Sequence, residues 1–162
     1  MKIQAAISHG AGEPLKIEEV ELTAPGADEV LIKIVATGVC HTDAESINGR
    51  GAPFPAVLGH EGAGIVEKVG AGVTNIQLGD HVVLSFAYCG ECSQCLTGHQ
   101  TLCERLVELN FGGKSRDGNN RIHQHDHSLS TFFGQSSFAT YSIAHKNNVV
   151  KVDKDVDLAL LG

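Results

Sequence analysis

The chain has 162 residues, 42% hydrophobic and 19% charged, enough for one domain with its own core and far from the composition of a disordered or fibrous chain. With 19 acidic against 12 basic residues the formal net charge is -7, so the basic face needed to grip nucleic acid or an anionic membrane is lacking. No apolar run nears the roughly 20 residues of a membrane-spanning helix, and Met1-Lys2-Ile3-Gln4 does not open a secretory apolar core; a cytoplasmic protein is the expectation.

Met1 to Ser8 alternates Ile3, Ala5 and Ile7 with polar neighbours and predicts a strand. After the turn Gly10-Ala11-Gly12-Glu13-Pro14, Leu15 to Glu21 predicts a second. Glu29 to Thr37 carries Val30-Leu31-Ile32-Lys33-Ile34-Val35, apolar on both faces, as in a strand central to a sheet. His41 to Asn48 is a short helix that Thr42 or Asp43 could cap. Gly64 to Val69 and His81 to Phe86 predict strands around the turn Val73 to Asp80. Residues 87 to 136 read as one long irregular stretch. Phe138 to Ala144 and Val149 to Val152 return to strand, and Asp155 to Gly162 starts a helix with Leu158, Leu160 and Leu161 exposed. Many short strands and few helices predict a mainly β, mostly antiparallel domain. No G-x-G-x-x-G follows a strand, so a dinucleotide fingerprint is missing.

A structureless loop of that length needs something to tie it down. Five cysteines are present, an odd number, and four fall inside it. Cys89, Cys92, Cys95 and Cys103 are spaced C-x2-C-x2-C-x7-C. Two-residue gaps aim successive sulfurs at one point, with Gly90 and Gly98 freeing the backbone to wrap an ion. Four thiolates suit a closed structural zinc site; an iron–sulfur centre shares the ligand type, while short spacing and a reducing compartment argue against two disulfides. His123, His125 and His127 would share a face on a strand and could hold a further metal; a solvated polar loop is the simpler reading.

Cys40 stands apart, in Gly38-Val39-Cys40-His41-Thr42-Asp43, and Gly59-His60-Glu61 follows some 20 residues on. Singly, such a cysteine reads as a small buried hydrophobe; together the three ligand types suit catalytic zinc. Gly59-His60-Glu61, then Gly64, Gly70 and Val73 at intervals of two, five and two residues, matches the signature of zinc-containing alcohol dehydrogenases. Residues 38–43 and the Cys89 to Cys103 spacing match two further segments of the same medium-chain family. Leu84 to Gly90 and Phe133-Gly134-Gln135-Ser136-Ser137-Phe138-Ala139-Thr140-Tyr141 resemble its benzyl (aryl) alcohol dehydrogenase branch.

That resemblance implies a GroES-like, partly open β-barrel over residues 1–162, with a zinc lobe at about 87–110. By position, Cys40 and His60 resemble two ligands of a catalytic zinc, with Glu61 the nearby carboxylate able to approach the metal. Asp43 resembles the carboxylate that orients His60. Thr42 resembles the hydroxyl that takes the substrate proton, His41 a contact to cofactor phosphate, and Phe86 a wall of the substrate pocket. Glu45 stands where many members have a relay histidine. Zinc at both sites, NAD or NADP, and a small alcohol or aldehyde substrate are implied, in a homodimer or homotetramer. The family's third catalytic ligand and its Rossmann cofactor domain fall beyond Gly162, so these residues alone are expected to be inactive. A non-enzymatic zinc-stabilised scaffold is the contrasting reading; it has no use for Cys40 and His60 beside Thr42.

Overall fold

The computed structural model describes residues 1–162. Ten strands form two five-stranded sheets. The first contains β1 (Lys2–Ser8), β2 (Lys16–Leu22), β4 (Ala56–Val57), β7 (Ile122–Gln124) and β8 (His127–Leu129), in the order β4-β1-β2-β7-β8. The second contains β3 (Glu29–Thr37), β5 (Gly62–Val69), β6 (His81–Leu84), β9 (Tyr141–His145) and β10 (Val149–Val152), in the order β10-β6-β5-β3-β9. Every strand pairing is antiparallel. The sheets are stitched where Ala6 N–H donates to Phe138 C=O (2.8 Å) and Thr140 N–H to Gln4 C=O (2.9 Å). The result is the partly open, mainly β barrel expected, and no helix is long and apolar enough to cross a membrane.

β3 shows why its sequence is apolar on both faces. Leu31 packs with Ile3, Ile7, Val20 and Leu129 in one core, while Val30 and Ile32 face a second with Val66, Val82 and Val149. Each such buried side chain contributes about 1.5–3 kcal/mol relative to exposure, and Ile32→Ala would cost about 2–5 kcal/mol. Beyond Ile32 the strand leaves the double-sided core, and Val35 is half exposed. The β3–β5 register slips between Leu31 and Ile32 and again between Ile34 and Ala36. Such bulges bend a strand and re-aim its end; here Thr37 lies opposite Gly62. Because the pair is antiparallel, the exit of β3 and the entry of β5 share one edge. That edge brings Cys40 beside His60.

Several sequence expectations change. Residues 87–136 hold α2 (Ser93–Leu96), α3 (Leu106–Phe111) and the β7–β8 hairpin, where one irregular stretch was expected. The strand pattern there is short and polar, and it forms because Glu21 and Leu22 of β2 pair with His123 and Ile122. His125 sits at the hairpin turn with φ of 52°, and Gln124 pairs with His127, so the three histidines share no strand face. At the far end one 3-10 turn, Leu158–Leu160, replaces the expected helix. Leu158 is buried there while Leu160 stays exposed.

Candidate metal centres and the pocket beside them

α1 (His41–Ile47) begins where β3 has delivered the chain to the sheet edge, and its N-cap is Cys40, not Thr42 or Asp43. The Cys40 sulfur accepts from Thr42 N–H (3.2 Å), and the Asp43 carboxylate accepts from Cys40 N–H through Oδ2 (3.1 Å). This is a capping box with sulfur in the hydroxyl's place. Asp43 Oδ1 accepts from Gly59 N–H (3.0 Å) and meets His60 Nδ1 (3.3 Å), and Cys40 Sγ lies 2.9 Å from His60 Nε2. One carboxylate, 1% exposed, thus ties the cap, the turn before β5 and the imidazole together. With Nδ1 on Asp43, the Nε2 face of His60 is turned to the thiol, the tautomer-fixing arrangement of metal-binding histidines.

The charges follow. Burial opposes ionisation of Asp43, yet hydrogen bonds from His60, Cys40 and Gly59 outweigh it and hold the carboxyl below its usual range. Burial also pushes His60 down, but Asp43 and Cys40 raise it above an ordinary imidazole. The Cys40 thiol resists ionisation through burial, and Thr42 and His60 more than offset this, leaving its pKa lowered. The donor set fits zinc: a thiolate-prone sulfur and an anchored imidazole converge, with their ligand atoms and that of Asp43 within 4.8 Å of one another.

Other residues singled out in the sequence lie around this pair. Glu61 follows His60, but its carboxylate rests against Gly38, outside the converging Cys40–Asp43–His60 set. Thr42 occupies the first turn of α1 and is half-buried. The His41 side chain is 86% exposed and 3.3 Å from Glu45. Glu45 also pairs with Arg50, so both are surface groups on the outer side of α1.

The second cluster closes on itself. Cys89 follows β6, Cys92 caps α2, Cys95 lies within α2, and Cys103 follows the 3-10 turn Gln100–Leu102. All four cysteines are free, and their sulfurs lie within 4.8 Å of one another. Cys89 Sγ and Cys95 Sγ are 3.8 Å apart, far beyond a disulfide bond and equal to the edge of a tetrahedron with Zn–S arms of about 2.3 Å, roughly 3.8 Å. Cys92 N–H and Glu91 N–H donate to Cys89 Sγ, and Cys89 N–H to Cys103 Sγ, the bonds a thiolate accepts. Gly90 and Gly98 have φ of 76° and 84°, a left-handed backbone that side chains resist. Backbone bonds from Glu104 and Cys95 hold Cys92 down at about 6, while burial pushes Cys95 up to about 12. Metal uptake by all four therefore releases protons. Asn110 fastens this lobe to the barrel, accepting from Ala87 N–H and donating to Ala87 C=O, both at 2.8 Å.

The family description "Alcohol dehydrogenase GroES-like domain" matches residues 26–154. The chain belongs to this family. Its fold is therefore the GroES-like barrel, and its two cysteine-bearing clusters carry donor sets that suit zinc. The geraniol dehydrogenase of Castellaniella defragrans is 48% identical over 161 residues, 98% of this chain and 43% of the relative. The benzyl alcohol dehydrogenase of Acinetobacter calcoaceticus superposes with a TM-score of 0.93 at 45% identity, covering 99% of this chain and 44% of that one. An alcohol dehydrogenase zinc-binding domain protein from Burkholderia ambifaria gives 0.94 at 45% identity, with 98% and 44% covered. The chain thus spans less than half the length of these relatives.

Beside the Cys40–His60 pair this alcohol dehydrogenase domain has an apolar cavity of about 230 Å³, lined by Phe86, Thr101, Leu106, Asn110, Phe111 and Phe133. Phe133 joins cavity and site: its ring stacks on the His60 imidazole (centroids 4.6 Å, planes 25° apart) and meets Phe111 edge-on at 5.1 Å. Phe133 has φ of 51°, a conformation costly for an aromatic residue that the surrounding packing must impose. The sequence reading found Phe86 but gave Phe111 and Phe133 no role in the pocket. Both lie inside the stretch that the sequence reads as irregular, where no periodic pattern marks a pocket wall.

Proposed function

We propose that these residues form the metal-carrying, substrate-binding part of a zinc-dependent, NAD(P)-linked alcohol dehydrogenase that oxidises primary alcohols bearing an aromatic or allylic group. The phenylalanine-lined cavity against His60 carries this reading. An apolar cavity of about 150 Å³ is large enough to admit benzene, and stacked or edge-on rings favour an aromatic or unsaturated occupant over a short alkyl chain. The names of the relatives, geraniol and benzyl alcohol dehydrogenases, support the same substrate class.

When bound, zinc acidifies an alcohol oxygen beside it and nicotinamide accepts the hydride. The chain's own residues do the rest. Cys40 and His60 hold the metal through Sγ and Nε2, and Asp43 keeps the imidazole proton on Nδ1. Cys89, Cys92, Cys95 and Cys103 hold the second zinc and fix the lobe that carries α3 and Phe111. Phe86, Phe111 and Phe133 exclude water and orient the substrate's apolar end, leaving its hydroxyl toward Cys40 and His60. In this reading Thr42 relays the hydroxyl proton, its oxygen accepting that proton while its own hydrogen passes on toward solvent. Glu61 is the reserve carboxylate next to His60, and His41, exposed on α1, is available to a dinucleotide phosphate. Turnover is assigned to the whole enzyme, and residues 1–162 alone are inferred to bind metal without catalysing.

The test is turnover of the full-length enzyme on benzyl alcohol and on ethanol, with zinc counted per chain. Two zincs and a kcat/KM at least about a hundredfold higher for benzyl alcohol, roughly 2.7 kcal/mol, are expected, with Phe133→Ala narrowing the gap. Equal efficiencies would overturn the substrate class. Absence of zinc in folded, active protein would overturn the metal roles.

A further inference from the structure

We propose that Gln135 is a positioning residue that locks the His60 ligand segment to the pocket-wall segment and so sets how tightly the Cys40–His60 site holds its metal; this rests on the zinc-site reading above. The side chain is 2% exposed and makes three hydrogen bonds, all to backbone. Nε2 donates to His60 C=O (2.9 Å) and Ser85 C=O (3.1 Å), and Oε1 accepts from Gly62 N–H (3.2 Å). His60 is the imidazole of the candidate metal pair, and Ser85 immediately precedes Phe86 of the cavity wall.

The clamp sits where the sheet fails to hold itself. The β5–β6 ladder runs only from Ala63 opposite Val83 to Ile65 opposite His81. Past Ala63 the two chains separate toward the site, and Gly62 N–H and Ser85 C=O have no ladder partner across the gap. The primary amide of Gln135 fills that gap, offering two donors and an acceptor to three groups that a wider β-pair leaves apart. Its own backbone is pinned, since Gln135 N–H donates to Phe132 C=O (3.1 Å) and Ser142 Oγ donates to Gln135 C=O. The segment is shaped for this inward aim: Phe133, Gly134 and Ser136 have φ of 51°, 60° and 55°, a left-handed backbone that non-glycine residues adopt only when their surroundings impose it. The loop that stacks Phe133 on the His60 ring thus also clamps the His60 main chain, restraining the ligand from two sides.

Fixing a ligand's supporting groups typically changes metal affinity 10- to 100-fold. The experiment follows zinc release to a chromophoric chelator from the full-length protein, in wild type, Gln135→Glu and Gln135→Met. The four-cysteine site serves as internal reference. Wild type should release one zinc quickly and one slowly. Gln135→Met keeps the volume and loses all three bonds, so the fast phase should accelerate roughly tenfold with the slow phase unchanged. Gln135→Glu retains the Gly62 acceptor and, when protonated, one donor, and should fall between. In cobalt-substituted protein the bands of the Cys40–His60 site should shift in the same order. Equal acceleration of both phases, no change in either, or failure of both variants to fold would make Gln135 an ordinary core residue and overturn the inference. A wild-type protein that takes up only the slowly released metal would instead overturn the Cys40–His60 site itself.

Discussion

Replacing Asp43 by Asn tests the centre of the site with one atom. The carboxylate accepts three bonds, from Cys40 N–H on Oδ2 and from Gly59 N–H and His60 Nδ1 on Oδ1. An asparagine offers one acceptor oxygen, so whichever way it is turned, an NH2 group faces at least one buried donor. Leaving a buried donor unpaired costs about 1–3 kcal/mol, and losing the charge on the remaining bonds adds about 1 kcal/mol. For a domain of this size each 1 kcal/mol moves Tm by about 2–4 °C, giving a fall of roughly 5–15 °C by calorimetry. The His60 ring also loses its anchor, so zinc affinity at the Cys40–His60 site should fall roughly 10- to 100-fold, read by competition with a chelator, while the four-cysteine zinc is retained. A variant with wild-type Tm and wild-type affinity at both sites would refute the view that this carboxylate organises the cap and the ligand together.

Cys103→Ser should remove the tightly held zinc and loosen residues 87–116, seen as one less zinc per chain and as protease cleavage confined to the lobe. His145 caps the 3-10 turn Lys146–Asn148 by accepting Asn147 N–H on Nδ1 (3.2 Å); burial, then Arg116 and Lys146 against the pull of Asp28 and Glu29, hold its pKa below 6.5. The folded state therefore takes up this proton less readily than the unfolded chain, so its contribution is full above about pH 6.5 and is lost as pH falls. Tm should drop between pH 7.5 and 5.5, and His145→Asn, which can still cap but does not titrate, should flatten that part of the profile. The Arg121–Glu29 pair (2.8 Å, side chains 12% and 10% exposed) ties the β7–β8 hairpin to the start of β3; Arg121→Ala strands a buried carboxylate and should cost about 3–5 kcal/mol in urea unfolding.

What the sequence discloses and what it hides divide along a physical line. β3 was legible because burial on both faces leaves an uninterrupted apolar run, and the converging donor clusters were legible because cysteine and histidine at tight spacing have few other uses. The β7–β8 hairpin was not, because Ile122 to Leu129 is held by pairing to β2, a partner about a hundred residues away, and local pattern does not report distant pairing. Cys40 as a helix cap was hidden for a different reason: capping preferences name oxygen side chains, and here a sulfur takes that place with Asp43 completing the box. Gln135, Asn110 and Phe133 share a third cause. Each works through backbone groups or ring faces brought from 23 to 75 residues away, so nothing in its own neighbourhood marks it. The donor residues announce themselves by type; the residues that hold those residues are visible only once the chain has closed, and at this site they are what converts two adjacent side chains into an oriented pair.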